Sequence, residues 1–168
     1  PISTQTLTSQ EIRALPGSME DVFWAIQCMP GASSTVGKNA NLIVRGGAPG
    51  EDRTLLENIE IYNPLHFGSP DAEKGAISIV NPSLIERIDF LAGGFPARYG
   101  DKMSSVFEIQ IKEGNRTDFN TDLNLSMSGF TVLLDGPVPG DGAMVFSARR
   151  GIFDLITSMV NSKTMPAY

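Results

Sequence analysis

"LAGGFPARYGDKMSSVFEIQIKEG", residues 91–114, links two alternating runs, "IERIDFL" (85–91) and "VFEIQIK" (106–112). In the first run Ile88 and Phe90 share one face while Arg87 and Asp89 share the other. In the second, Phe107, Ile109 and Ile111 oppose Glu108, Gln110 and Lys112. A period of two is the mark of a strand. The pattern predicts a sheet with one apolar face, covered by helices, and one charged face that meets water. Between the runs stand Gly93-Gly94, Pro96 and an Arg-Tyr-Gly triplet, more than a simple reversal requires.

A second stretch repeats this connector. "RGGAPGE" (45–51) and "AGGFPARYG" (92–100) both read small-or-basic, Gly-Gly, any residue, Pro, with Gly46, Gly47 and Pro49 answering Gly93, Gly94 and Pro96. Adjacent glycines reach backbone conformations closed to other residues, and proline then fixes the exit direction. The residues alone leave two readings open, close packing against a wall and plain loop closure.

Upstream, "PISTQTLTSQ" (1–10) is polar and reads as an extended lead-in or linker. "SMEDVFWAIQCMPG" predicts a short amphipathic helix over about 19–29, with Ser18 and Asp21 as a capping box and Pro30-Gly31 as the stop. "NLIVRGG" and "TLLENIEIYNP" follow as short strands, the latter a pair turning at Glu57-Asn58. A long loop (63–76) carries His66, the single histidine, and Phe67. Pro82 and Ser83 then mark a helical turn.

After "EGNRTD" the pattern changes. Phe119, Leu123, Leu125 and Met127 alternate with Asn120, Asp122, Asn124, Ser126 and Ser128. At Gly129 the parity flips to Phe130, Val132 and Leu134, which predicts a bulge or a tight reversal. "DGPVPGDG" reads as a turn cluster and "AMVFSARR" as the next strand. The tail "GIFDLITSMV" fits either a helix or a continued strand.

The 168 residues carry a formal net charge of −6, with 41% hydrophobic and 19% charged residues. This is a folded chain without the basic footprint of nucleic-acid binding. It begins at Pro1 without a basic or apolar leader, and reads as an excised or processed fragment. The single Cys28, within the apolar helical pattern, reads as a small buried hydrophobe. No run of about 18 apolar residues is present for a membrane helix, whereas membrane strands need only a ten-residue alternation. "RGGAPGE" lacks the register and lysine of a phosphate loop, Ser104-Ser105 lacks the nucleophile elbow, and "DGPVPGDG" lacks calcium-ligand spacing. His66 has no metal-ligand neighbours in sequence. The reading is therefore not an enzyme, with no catalytic residue, metal or cofactor.

The ordered string "NLIVRGG", "LLENIEIYNPLHFG" and "AISIVNPSLIERIDFLAGGFPARYGDKMSSVFEIQIKEGNR" resembles the plug domain of TonB-dependent outer-membrane receptors, from about Ile12 to Arg116. "DGPVPGDGAMVFSARRGIFDLI" resembles the first hairpin of the barrel that follows the plug in that family. The resemblance implies an α+β fold. A small four-stranded plug sheet with short helices would be followed by antiparallel hairpin strands opening a 22-stranded transmembrane β-barrel. The implied division is a linker at 1–11, the plug at 12–116 and truncated barrel strands at 117–168.

It also implies gating of energised ligand uptake, with the plug in the barrel lumen of the outer membrane, facing the periplasm. The implied partners are the chain's own barrel, the TonB complex of the inner membrane, an extracellular ligand and, through the barrel, outer-membrane lipid. Arg45 and Arg87 align with plug arginines that pair with carboxylates on the inner barrel wall, while Phe95 and Tyr99 become packing anchors of a plug-to-wall connector. His66 and Phe67 are ligand-side loop candidates. "PISTQTLTSQ" contains no convincing TonB box. Separated from its barrel, the fragment is expected to self-associate through 117–150 and not to transport. The alternative reading is a stand-alone periplasmic binding module with a plug-like fold.

Overall fold

The computed structural model describes residues 4–15, 21–34, 42–48, 51–66, 77–100, 104–126 and 129–151. The chain divides into two compact units, Pro1–Lys112 and Glu113–Tyr168. In the first unit the elements are β1 (Thr4–Thr8), α1 (Ser9–Ala14), α2 (Val22–Gln27), β2 (Ala32–Ser34), β3 (Leu42–Val44) and β4 (Asp52–Leu56). They continue with β5 (Ile59–Ile61), β6 (Leu65–His66), β7 (Ile77–Ser78), a 3-10 turn (Pro82–Leu84), β8 (Ile85–Ala92) and β9 (Ser105–Ile111). The second unit holds β10 (Asn120–Ser126), β11 (Gly129–Val138) and β12 (Gly142–Gly151).

The main sheet runs β1-β8-β9-β4-β5, with β4 parallel to β9 and the other pairs antiparallel. It has five strands where four were expected. The fifth is β1, inside the segment read as a linker. Its threonines are β-branched and suit a pleated edge, and Leu7 stands opposite Ile88 and packs on the core. Thr6 Oγ1 donates to Asp89 Oδ1 at 2.6 Å, which ties the polar side of β1 to β8. Helix α1 follows at once through a capping box, in which Thr8 N donates to Glu11 Oε2 at 2.8 Å and Glu11 N donates to Thr8 Oγ1 at 3.4 Å.

Helix α2 is shorter than predicted, and its N-cap is Asp21; Ser18 lies outside the described residues. Asp21 Oδ1 accepts from the amides of Phe23 and Trp24, and Oδ2 accepts from Ser78 N at 2.6 Å. One buried carboxylate thus starts the helix and holds β7 against it. Cys28, expected to be buried, is exposed because the helical segment ends at Gln27 and the thiol sits on its C-cap.

The helices cover one sheet face. Ile12, Val22, Phe23, Ala25 and Ile26 pack with Ile88, Phe90, Phe107 and Ile109. Phe90 stacks on Phe107 at 5.0 Å between centroids, and Phe23 meets Phe107 edge-on at 6.1 Å. Burying each such side chain contributes about 1.5–3 kcal/mol. The opposite face departs from the expectation that it meets water. A second cluster of Leu55, Leu91, Tyr99 and Val106, with Phe95 against it, covers its middle. The 92–100 connector folds back over the sheet and supplies both aromatics, so Phe95 and Tyr99 anchor on their own domain.

The β4–β5 turn sits where predicted, with Glu57 at φ 49° and Asn58 at φ 65°. The second unit is an antiparallel meander, β10-β11-β12. Ser126 pairs with Gly129, so the parity flip is a tight reversal. "DGPV" is not turn but the end of β11; the break is confined to 139–141, with Gly140 at φ 94° and Asp141 at φ 60°. Cross-strand pairing gathers Leu123, Leu125, Phe130, Val132, Leu134 and Phe146 on one face. Among them Leu125 is 76% and Phe146 55% exposed. The other face carries Asp122, Asn124, Thr131, Asp135, Ser147 and Arg149, together with Val145 and the buried Leu133. The tail from 152 lies outside the described residues.

Candidate functional site

The structure brings the two connectors together. β3 ends at Val44, and Arg45 takes φ 50° as its amide donates to Gly31 O at 3.0 Å. Its guanidinium then lies on Gly93, where φ is +91° and a β-carbon would overlap Nη1. In the first connector a β-carbon on Gly47 would overlap Ser104 Oγ and come within 2.7 Å of Ser104 Cβ. Ser104 Oγ itself donates to Val44 O at 2.6 Å. Gly47 and Gly93 thus serve close approach within the domain, whereas a β-carbon on Gly46 or Gly94 would meet nothing within 4 Å. Gly46, at φ 80°, forms the turn closed by Gly47 N donating to Val44 O at 2.9 Å. Around Gly94 there is open space, and Pro96 O accepts from Tyr99 N at 3.0 Å. Pro49 lies outside the described residues.

Under the second connector, the register sets Asp89 opposite Glu108, Glu108 beside Leu55, and Leu55 opposite Glu60. Three carboxylates therefore lie in one row across the sheet. Like charges directly opposite each other are destabilising in a sheet, and here each acid has its own arginine. Arg87 Nε is 3.3 Å from Asp89 Oδ2, Arg98 Nη2 3.1 Å from Glu108 Oε2, and Arg53 Nη2 2.7 Å from Glu60 Oε2. Glu108 is buried, and its second bond comes from Tyr99 Oη at 2.6 Å. Arg98 also donates to Tyr99 Oη and holds its guanidinium 4.5 Å above the ring. Arg53 Nη1 donates to Gly100 O at 3.1 Å. Burial, with the adjacent Glu108 carboxylate, pushes the Tyr99 phenol above its usual range, so it stays a donor.

Of the residues singled out from sequence, Arg45 reaches Gly31 and Gly93, while half-exposed Arg87 reaches Asp89. The two arginines share no partner among the described residues. His66 is exposed at the end of β6, and Phe67 lies outside the described residues. Among the described residues no group of three His, Cys, Asp or Glu side chains could hold a metal ion. Sequence reading missed the Arg98–Tyr99–Glu108 cluster and the Arg53–Glu60 pair. The available signal was Glu108 itself, a carboxylate in the middle of a strand that sheet order makes central.

Fold and site together define a mixed-sheet domain, helix-covered on one face and crossed by a loop on the other, that precedes amphipathic antiparallel strands. A family model described as TonB-dependent Receptor Plug Domain matches residues 1–106, and the chain belongs to that family. It is 32% identical over 122 residues to the ferrienterobactin receptor of Escherichia coli, a match spanning 66% of this chain and 16% of the relative. The siderophore receptor PirA from Pseudomonas aeruginosa has the same fold, with a TM-score of 0.55 and 24% identity over 82% of this chain and 26% of that one. FpvA of P. aeruginosa, solved with heterologous pyoverdines, aligns with a TM-score of 0.59 at 16% identity over 90% of this chain and 20% of that one. The chain thus spans less than a third of the length of these relatives. The family match begins at residue 1, so β1 lies within the matched span.

Proposed function

We propose that this segment is the gate of an outer-membrane importer. Residues 12–116 form the plug, extended at its N-terminal end by β1 and α1, and residues 117–168 open the wall of a 22-stranded barrel. The observation that carries the proposal is the split of the meander into an exposed apolar face and, on alternate residues, a mainly polar face interrupted by Leu133 and Val145. That is the pattern of strands with lipid on one side and a lumen on the other. In this reading the plug fills the lumen on the periplasmic side, and the TonB complex acts on it from the inner membrane. Arg45 and Arg87 supply cations toward wall carboxylates. His66, at the end of β6, and Phe67 are the ligand-side candidates, and the exposed apolar face drives self-association when the barrel is missing.

The named relatives include a ferrienterobactin receptor and a siderophore receptor, and a ferric siderophore is the ligand class to test first. In cells carrying the complete natural chain, the protein should fractionate with the outer membrane and support uptake of ferric enterobactin, dependent on TonB. Arg45→Glu with Arg87→Glu should loosen the gate and sensitise the cells to large antibiotics normally excluded. Recovery of the chain as a soluble periplasmic protein would favour the stand-alone binding module.

A further inference from the structure

The segment 93–100 is attached to the rest of its domain differently from everything around it. β8 and β9 are joined by an antiparallel ladder from Ile85↔Ile111 to Ala92↔Ser105, with one register shift between Ile85 and Arg87 and continuous pairing from Arg87 to Ala92. Among the described residues, no main-chain bond joins 93–100 to the sheet; its one internal main-chain bond runs from Tyr99 N to Pro96 O. What holds it down are side chains. Phe95 and Tyr99 sit on Leu55, Leu91 and Val106, Arg98 and Tyr99 reach Glu108, and Arg53 reaches the carbonyl of Gly100. The polar ties converge on two carboxylates, Glu108 and, through Arg53, Glu60.

The ends of this segment point the same way. A β-carbon on Gly94 or Gly100 would meet nothing within 4 Å, so packing does not demand glycine at either position. What glycine supplies there is backbone freedom. A loop held by side chains, with Arg45 on Gly93 and Arg53 on Gly100 at its ends, and laid over a small apolar cluster is a low-energy opening unit beside a ladder of much higher cost.

We infer that residues 93–100 form a strap that lifts from the sheet as one unit while β8 and β9 stay paired, with Glu108 as its clasp. Lifting it uncovers Leu55, Leu91 and Val106 together with the row of Asp89, Glu108 and Glu60, and opens a gap beside an intact sheet. That consequence, though not the opening itself, rests on reading the domain as a gate. Arg98 and Tyr99 are positioning residues in this device.

Exchange measurements on the complete natural chain in detergent test it, with thiol labelling of Leu91→Cys, a side chain that the strap covers, reporting the strap, and hydrogen–deuterium exchange of the amides of 105–111 reporting the ladder. The strap should exchange far faster than the ladder when no other residue is altered. Glu108→Gln and Tyr99→Phe should each speed strap exchange by about tenfold, the loss expected for a hydrogen bond to a charged group, with the ladder unchanged. Gly94→Ala should slow it by about two- to fivefold through reduced backbone freedom. Because Gly94 has room for a methyl group, that variant carries the test even if Glu108→Gln fails to fold. Strap and ladder exchanging together, or a strap indifferent to all three variants, overturns the inference and leaves the gating proposal standing. Absence of the chain from the outer-membrane fraction overturns the gating proposal and leaves the strap result intact.

Discussion

Arg45 lays its guanidinium on the α-carbon of Gly93, joining two Gly-Gly connectors nearly fifty residues apart in the chain. Arg45 comes from the end of a short strand in a left-handed conformation, and Gly93 follows the longest strand of the main sheet at φ +91°. The likeness of the two motifs in sequence thus corresponds to mutual packing.

Gly93→Ala and Gly47→Ala should fail for different reasons. At Gly93 the arginine end can swing aside, so the positive φ dominates and the loss should be about 1 kcal/mol. At Gly47 the obstacle is Ser104, whose Cβ cannot move freely, so Ser104→Gly should recover part of the stability lost by Gly47→Ala but nothing for Gly93→Ala. Denaturant midpoints of the four variants in the complete chain check this.

Asp21→Ala removes a helix cap and strands the buried Ser78 amide at once, and should cost about 2–4 kcal/mol. Asp21→Asn keeps an acceptor for one of these roles and should cost less than half as much. Thermal unfolding of the two variants side by side measures the difference.

Tyr99 gives the domain an alkaline limit. Its pKa is raised on folding, so the neutral phenol is the form the native state prefers. The stability it contributes is full below the usual tyrosine pKa of about 10 and is lost as pH rises through the folded value. Ultraviolet titration should show one tyrosinate appearing late, and Tyr99→Phe should abolish that late step.

Val132→Arg puts a charge at the middle of the apolar face of the meander, opposite Leu123 and Ala148. If that face meets lipid, assembly should suffer by about 2–4 kcal/mol, whereas Asn124→Arg on the opposite face should be tolerated. Yields of heat-modifiable, folded barrel from outer-membrane preparations distinguish the two.

A glycine is tolerated within β11 because of a neighbour on the same face. The ring of Phe119 lies over Gly136, where a β-carbon would overlap Cδ1, and shields a backbone that a side chain would otherwise cover. Gly136→Val should therefore displace Phe119 and lower the same folded yield, while Phe119→Leu should cost less.

Local rules carried the sequence reading as far as neighbours in the chain reach. The alternation in 85–91 and 106–112, the Glu57-Asn58 turn and the Pro82 helical turn follow from side-chain period, left-handed tolerance and fixed proline φ, and all stand in the structure. The capping box at Thr8–Glu11 was also legible and was overlooked because the segment is polar. "TQTLT" contributes a single side chain, Leu7, to the core, and a strand held by main-chain bonds and one anchor has no strong hydrophobic signature.

By itself, then, the sequence determined the longer alternating strands, the reversal at Glu57-Asn58, and that the chain after residue 117 alternates differently from the rest, but not the short strands β1, β2, β6 and β7. Only the tertiary structure decided that β4 lies parallel to β9, that β1 completes the sheet, and that the 92–100 connector folds over the face expected to meet water. That last decision buries Glu108. An alternating pattern records which residues share a face, but what covers each face depends on segments distant in the chain. In this protein the cover is a loop whose Arg98 and Tyr99 bring the hydrogen bonds a buried carboxylate requires.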